Sequence, residues 1–276
     1  MLRSSAAQLR KLSFIKQNKV VNNFLKTISL KLSKILYGDK KLVAIAGKYK
    51  FYLDSDFAFA NYESWGEKHN GGFEKLIEVS KDKKVIFDIG GHIGLCALPM
   101  STNISQESVI YSFEPSNRNR YYLQKHIELN DISNIYVIDS LLGDTNKENV
   151  EFFELNDVSG TPSIVNIKEG FQKVLKKQVT LDSFCEDNRL IPDLLKIDVE
   201  GAEFFVLNGG TKIIKMYKPD IVLSLHPKHL NKLGLDMNYL FEFCDKYKYE
   251  IFNCSDMKRV IKGNDLLFDE YYLKAN

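Results

Sequence analysis

No apolar run in the 276 residues approaches the ~20 residues of a membrane-spanning helix, and the N-terminus lacks the continuous apolar core of a secretory signal. Four cysteines, Cys96, Cys185, Cys244 and Cys254, fall without a CxxC pair or histidine-partnered spacing, which argues against a zinc ribbon or a disulfide framework and suits a reducing compartment. Together these absences predict an intracellular, cytoplasmic protein. There is no internal repeat and no low-complexity tract. Acid is missing altogether from Met1 to Gly38, which carries eight Lys or Arg residues, so the rest of the chain is net acidic. The overall formal charge of +2 gives no global reason to expect nucleic acid as a partner.

What is present reads as an ordinary globular chain, 44% hydrophobic and 27% charged, long enough to bury a substantial core. In the acid-free segment Val21, Phe24, Leu25, Ile28, Leu32, Ile35 and Leu36 recur at three-and-four spacing between lysines, which predicts an amphipathic basic helix stopped by Gly38. "KLVAIAGKYKFYL" reads as two short strands around Gly47. From Lys83 onward "VIFDI", "SVIYSFE", "NIYVID", "LLKIDV" and "DIVLSL" alternate with helix-like stretches. Short β-rich runs joined by helices predict an α/β, doubly wound, mostly parallel sheet. "VEFFEL" and "KKQVTL" suggest an added strand pair flanking the polar loop "NDVSGTPSIVNIKEG", and "YKYEIF" with "LLFDEYYLK" a closing antiparallel hairpin. The expected organisation is a helical extension over residues 1–40 and one domain over residues 41–276.

The first strand of the alternating region runs into three glycines as "DIGGHIG". A dinucleotide fingerprint needs GxGxxG, but counting back from Gly94 through Gly91 the first position is Ile89. The sequence has instead Asp88 at the strand end, then Gly90, Gly91 and Gly94. An acid there repels a pyrophosphate and suits a ligand carrying an ammonium or sulfonium group, such as S-adenosylmethionine. Glu114 ends the next strand, twenty residues beyond Gly94, where a carboxylate can accept hydrogen bonds from ribose hydroxyls. That spacing also fits NAD, and glycines alone can serve close helix-to-sheet packing, with Glu114 capping the following helix.

"VIFDIGGHIG", "SFEP" and above all "LLKIDVEGAEFFVLNGG" resemble the FkbM-type methyltransferases, a branch of the class I S-adenosylmethionine-dependent enzymes, over about Phe73 to Pro227. The resemblance implies a Rossmann-like sheet with S-adenosylmethionine as cofactor. It sets Asp88, Gly90, Gly91, His92 and Gly94 against the methionine part, Glu114 on the ribose, and Asp139 and Ser140 at adenine, although Leu141 stands where the family usually has a small residue before Gly143. Glu74 resembles a recurring acid that approaches the cofactor, or is a solvated helix-face carboxylate. The resemblance also implies a hydroxyl acceptor on a sugar, glycan, lipid-linked or secondary-metabolite molecule.

In a doubly wound sheet the ligand crosses the carboxyl ends of the strands, so Asp198 is expected in the cleft, orienting the cofactor's ammonium or receiving the acceptor's proton. Glu200 reaches the same cleft, and Glu203 reads as a first-turn acid favouring the helix dipole. His226, at the end of "DIVLSLHP", is the expected general base, with His229 in reserve; many relatives carry an acid near this strand end. Single acids scattered over different strands form no recognisable ligand spacing, so no required metal is expected. The polar loop and the segment "NYESWGEKHNGG", with Tyr62 and Trp65, are the expected acceptor contacts, and Trp65 reads equally as a core plug. Residues 1–38 read as a helix packed on the domain, as a peripheral attachment to anionic lipid, or as a transit peptide. A non-catalytic cofactor-binding module and a nucleotide-dependent oxidoreductase stand as alternatives to the enzyme.

Overall fold

A computed structural model describes residues 19–67, 70–155, 164 and 171–275. The chain divides into two compact units, Met1–Ser64 and Trp65–Asn276. In the first, helix α1 (Lys19–Tyr37) ends as expected at Gly38, whose φ of +64° closes the last turn with its N–H on Lys34 O at 2.9 Å. Strands β1 (Lys40–Ile45) and β2 (Tyr49–Asp54) form an antiparallel hairpin around Gly47, followed by a 3-10 turn, Ser55–Phe57. Among the described residues these strands pair with each other alone, and Ser55 N–H donates back to Asp39 O at 3.1 Å. The hairpin therefore belongs with the N-terminal helix, and the boundary falls after Ser64 rather than at residue 40.

In the second unit, α2 (Phe73–Ser80) buries Phe73, Leu76, Ile77 and Ser80, a single helical stripe. There follow β3 (Val85–Ile89), α3 (Ala97–Ser101), β4 (Val109–Phe113), α4 (Asn117–Leu129) and β5 (Ile135–Ile138). Next come β6 (Leu141–Gly143), β7 (Lys147–Glu154), β8 (Gln172–Thr180), α5 (Leu181–Asn188) and β9 (Leu194–Ile197). The chain closes with α6 (Glu203–Gly209), α7 (Thr211–Tyr217), β10 (Asp220–Leu225), α8 (Pro227–Lys232), α9 (Asn238–Tyr247), β11 (Tyr249–Asn253), β12 (Arg259–Val260) and β13 (Asp269–Ala275).

The eight-stranded sheet has the order β12-β11-β13-β10-β9-β3-β4-β5, with β10, β9, β3, β4 and β5 parallel. Strand β13 enters between β10 and β11, antiparallel to both, so the closing pair is the expected antiparallel one. Strand β9 is buried at every residue and β3 at all but its first, the pattern of strands covered on both faces. Phe87, Phe113 and Phe184 meet there at ring separations of 4.9–5.7 Å. The added pair β7–β8 is antiparallel and gains a third strand, β6, in a separate sheet. The polar loop expected beside it lies outside the described residues apart from Ile164. Strand order reverses between β3 and β9, and at such a switch point the loops on either side diverge to leave a crevice at the strand ends.

Candidate active site

A cavity of about 390 Å³ opens at that switch point, lined among others by Gly90, Gly91, His92, Glu114, Ser140, Asp198, Glu200 and His226. Its volume is that of an ordinary small-molecule site, roughly 300–1,000 Å³. The glycine turn is built by three strand ends converging. Gly90 and Gly91 N–H groups donate to Phe113 O on β4 at 2.9 and 3.0 Å, and Asp198 N–H donates to Ile89 O at 2.9 Å. A Cβ on Gly90, whose φ is +87°, would lie 1.9 Å from Asp198 O, and one on Gly91 would lie 2.0 Å from Ser112 Oγ. Gly90 must be glycine for the protein's own backbone to close, whatever ligand lies above it, and a side chain at Gly91 would displace the Ser112 hydroxyl from its place beside Asp88. Gly94 lies outside the cleft lining; its φ is +95° and a Cβ there would press on Leu123 at 3.0 Å, so it serves helix packing.

Asp88 stands below the cleft surface. It is 0% exposed and forms an ion pair with Lys196 on β9 at 3.0 Å, while Ser112 Oγ–H donates to its second oxygen at 2.9 Å. Its charge is therefore matched within the protein, and the expected direct contact with the methionine part gives way to support of the floor. Lys196 Nζ also donates to Gly90 O at 2.7 Å and lies 3.9 Å from Asp198, so it ties the glycine turn to the acid beside it. Burial opposes the lysine's charge, but Asp88 and then Asp198 outweigh it and hold its pKa above the usual range. A lysine between Leu195 and Ile197 in a fully buried strand needs a buried partner. That was the signal by which sequence reasoning could have found it.

Glu114 reaches the cleft, with both carboxylate oxygens on backbone: one accepts from His92 N–H at 2.7 Å, the other from Ser116 N–H at 2.8 Å. It holds the glycine turn against β4 and the entry to α4. Burial pushes its pKa up to about 7 against those hydrogen bonds. His92 has φ +51°, its Nε2 is buried without a hydrogen bond among the described residues, and burial lowers its pKa to about 4. A neutral ring with one orphaned buried nitrogen in the cleft wall fits a polar ligand that supplies the missing partner.

Two expected contacts lie elsewhere. Asp139 is half exposed, pairs with Arg120 at 2.6 Å and is absent from the cleft lining, which Ser140 joins. Glu74 sits on the exposed side of α2, because Phe73, Leu76 and Ile77 take the buried stripe. Trp65 and Asn70 line the cleft, Tyr62 belongs to the first unit, and Lys68 and His69 lie outside the described residues.

At the other end of the cleft β9 and β10, adjacent and parallel, deliver Asp198, Glu200 and His226 to one place. His226 Nε2 is 3.7 Å from Asp198 and 3.6 Å from Glu200. Its Nδ1 meets Glu203 at 2.6 Å. Glu203 is fully buried and also accepts from Gly201 N–H at 3.0 Å, so the acid in the first turn of α6, where it was expected, also supports the histidine. Burial opposes a charged imidazole, but the Glu203 hydrogen bond and the charges of Asp198, Glu203 and Glu200 push the His226 pKa up to about 9. In this state His226 is protonated at neutral pH and cannot accept a proton, contrary to the expected base role. His229 Nδ1 lies 3.2 Å from Glu200, and burial lowers its pKa. Glu270, at the start of β13, also lines the cleft, accepts from Gly72 N–H at 3.2 Å, and is pushed up to about 7 by burial. Phe268 forms an exposed lip, its ring 5.1 Å from that of His226.

A doubly wound sheet with a glycine turn and Glu114 on one side of the switch point, and an acidic cluster on the other, defines a Rossmann-like methyltransferase architecture. The Methyltransferase FkbM domain matches residues 88–251, and the chain belongs to that family of S-adenosylmethionine-dependent methyltransferases. Among solved structures it is similar to methyltransferase FkbM from Methylobacillus flagellatus KT, at 15% identity and TM-score 0.44, covering 91% of this chain and 60% of that one. It is also similar to precorrin-6y C5,15-methyltransferase from Geobacter metallireducens GS-15, at 12% identity and TM-score 0.42 over 75% of this chain and 87% of that one. A third likeness is to M. jannaschii TYW2 in complex with AdoMet, at 14% identity and TM-score 0.42 over 85% and 84% of the two chains. No curated protein matches the sequence.

Proposed function

We propose that the chain methylates a hydroxyl oxygen on a sugar, glycan, lipid-linked or secondary-metabolite acceptor, with S-adenosylmethionine as donor. The observation that carries the reading is the division of one cavity into a glycine-turn end with Glu114 and the orphaned His92 nitrogen, and an acidic end with Asp198, Glu200 and His226. Gly90, Gly91, His92, Glu114 and Ser140 hold the donor; when bound, it supplies a methyl group activated by a sulfonium. The protein's work is then to align the acceptor and take its proton. Asp198 and Glu200 are the groups placed to accept it, while His226, kept charged by Glu203, donates a hydrogen bond to an acceptor oxygen. Phe268 offers an apolar face at the mouth, suited to a sugar ring or a lipid chain.

Calorimetric titration of the full chain with S-adenosylmethionine and, separately, NADH tests the donor. Micromolar binding of the first and none of the second is expected; the reverse order would refute the reading. A hydroxyl-acceptor screen then follows transfer of a labelled methyl group. Donor binding with transfer to nitrogen would refute the oxygen assignment, and donor binding with no transfer to any acceptor would favour a binding module.

Helix α1 suits a lipid-linked acceptor. Phe24, Ile28, Leu32, Ile35 and Leu36 are exposed on it, among Lys26, Lys31 and Lys34, the composition of a helix that lies in an anionic interface. No helix among the described residues is long and apolar enough to cross a membrane. Cosedimentation with phosphatidylserine vesicles that disappears on deleting residues 1–38, with the domain still folded, is the expected result. Unchanged binding by the deletion would remove this part of the reading.

A further inference from the structure

We propose that Asp198, Glu200 and His226 bind a divalent first-row transition cation, with Mn²⁺ as its representative, at the acceptor end of the cleft. The site deepens the proposed function, on which its role rests: the ion takes the place of the proton that His226 Nε2 carries in its absence, and its remaining positions face the cavity where an acceptor's oxygens would complete its coordination.

Geometry comes first. One ligand atom from each residue lies within 4.8 Å of the others, and the two distances from His226 Nε2, 3.7 and 3.6 Å, are too long for hydrogen bonds. Donor atoms spaced in this way can share a central ion roughly 2–2.5 Å from each, the range of nitrogen and oxygen bonds to divalent ions. The expectation of no ligand spacing looked for nearness along the chain. The nearness arises between neighbouring strands, since β9 and β10 run parallel and end side by side.

The second observation is the way the histidine is held. His226 is 7% exposed, yet its Nε2 makes no hydrogen bond among the described residues and points at the two carboxylates. Its other nitrogen is held at 2.6 Å by Glu203, itself fully buried and anchored by Gly201 N–H. A buried carboxylate behind a histidine is the arrangement that orients metal-binding imidazoles and raises their basicity.

Charge points the same way. Asp198, Glu200 and Glu203 crowd His226, while Lys196 is matched by Asp88 at 3.0 Å before it meets Asp198 at 3.9 Å. A local excess of negative charge beside an open cavity attracts a cation. An imidazole with two carboxylates favours a first-row transition ion over calcium or magnesium, which prefer all-oxygen shells.

The test is Mn²⁺ titration of the full chain, followed by calorimetry and by loss of the free-ion electron paramagnetic resonance signal, with and without S-adenosylhomocysteine. One ion per chain is expected in both conditions. Asp198→Asn and Glu200→Gln should each weaken binding by about 100-fold, and Glu203→Gln by about 10- to 100-fold through misorientation of the imidazole. Circular dichroism checks that the variants fold; because Glu203 is buried, the Glu200 variant carries the test if Glu203→Gln does not fold. No Mn²⁺ binding below millimolar concentration, or binding unchanged in the Asp198 and Glu200 variants, overturns the site. S-adenosylhomocysteine binding without Mn²⁺ binding overturns the cation while leaving the donor reading in place, and failure of both ligands overturns the two together.

Discussion

Replacing Lys196 with methionine keeps nearly the same length of side chain and removes its charge. Asp88, 0% exposed, would then keep Ser112 Oγ at 2.9 Å as a hydrogen-bond donor and lose its ion-pair partner, while Gly90 O would lose a donor at 2.7 Å. Breaking a buried pair from one side costs about 3–5 kcal/mol, since the remaining charge stays desolvated. At about 2.1 cal/mol/K of unfolding entropy per residue, that loss lowers Tm by roughly 5–9 °C for a chain of this length. Trp65, the single tryptophan, lies in the second unit, so its fluorescence in a urea titration follows the unit that contains the pair. The double variant Asp88→Asn, Lys196→Met leaves no unmatched charge at these two positions and should recover about 2 kcal/mol relative to the sum of the single losses. A loss below about 1 kcal/mol for Lys196→Met, or strict additivity in the cycle, would refute the claim that this pair supports the glycine turn.

Glu114, with a folded pKa of about 7 raised by burial above its unfolded value, contributes stability that is fully present below about pH 4.5 and lost as pH rises through 7. The expected decline is about 3 kcal/mol across that window, and Glu114→Gln should flatten this part of a stability–pH profile from urea titrations. Gly90→Ala drives a methyl group to 1.9 Å from Asp198 O, so the variant should lose more than about 4 kcal/mol, read as loss of soluble protein or of the cooperative transition. Asp139→Asn breaks the Arg120 pair outside the cleft lining and should leave the S-adenosylmethionine Kd within about twofold by calorimetry, since surface pairs contribute about 0–1 kcal/mol.

The strands of the main sheet were legible because burial on both faces writes them as continuous apolar runs between turn residues, as in "VIFDI" and "DIVLSL". Strand β6 has three residues and β12 two, too short for any periodicity to register. Strand ends told correctly which side of the sheet Asp198, Glu200 and His226 occupy. They did not tell that the three side chains converge within 4.8 Å, a fact of strand adjacency. Asp88 and Lys196 sit on neighbouring strands at paired positions, so neither segment by itself shows the pair. Asp139 lies off the cleft lining and Glu74 takes the solvated helix-face alternative, because a motif position says nothing about which way a helix face turns or whether an arginine such as Arg120 is waiting beside it.

Strand β13 enters the sheet between β10 and β11, although it follows both along the chain. During synthesis, β11 and β12 therefore emerge before the strand that joins them to the rest, and the edge of β10 stays open until residues 269–275 leave the ribosome. Glu270 arrives with that strand, and with it the anchor for Gly72 at the entry to α2. A chain interrupted before residue 269 would hold a nearly complete sheet and an unfinished binding wall. Final closure of this unit is thus a late, long-range event, slower than the local pairing that precedes it.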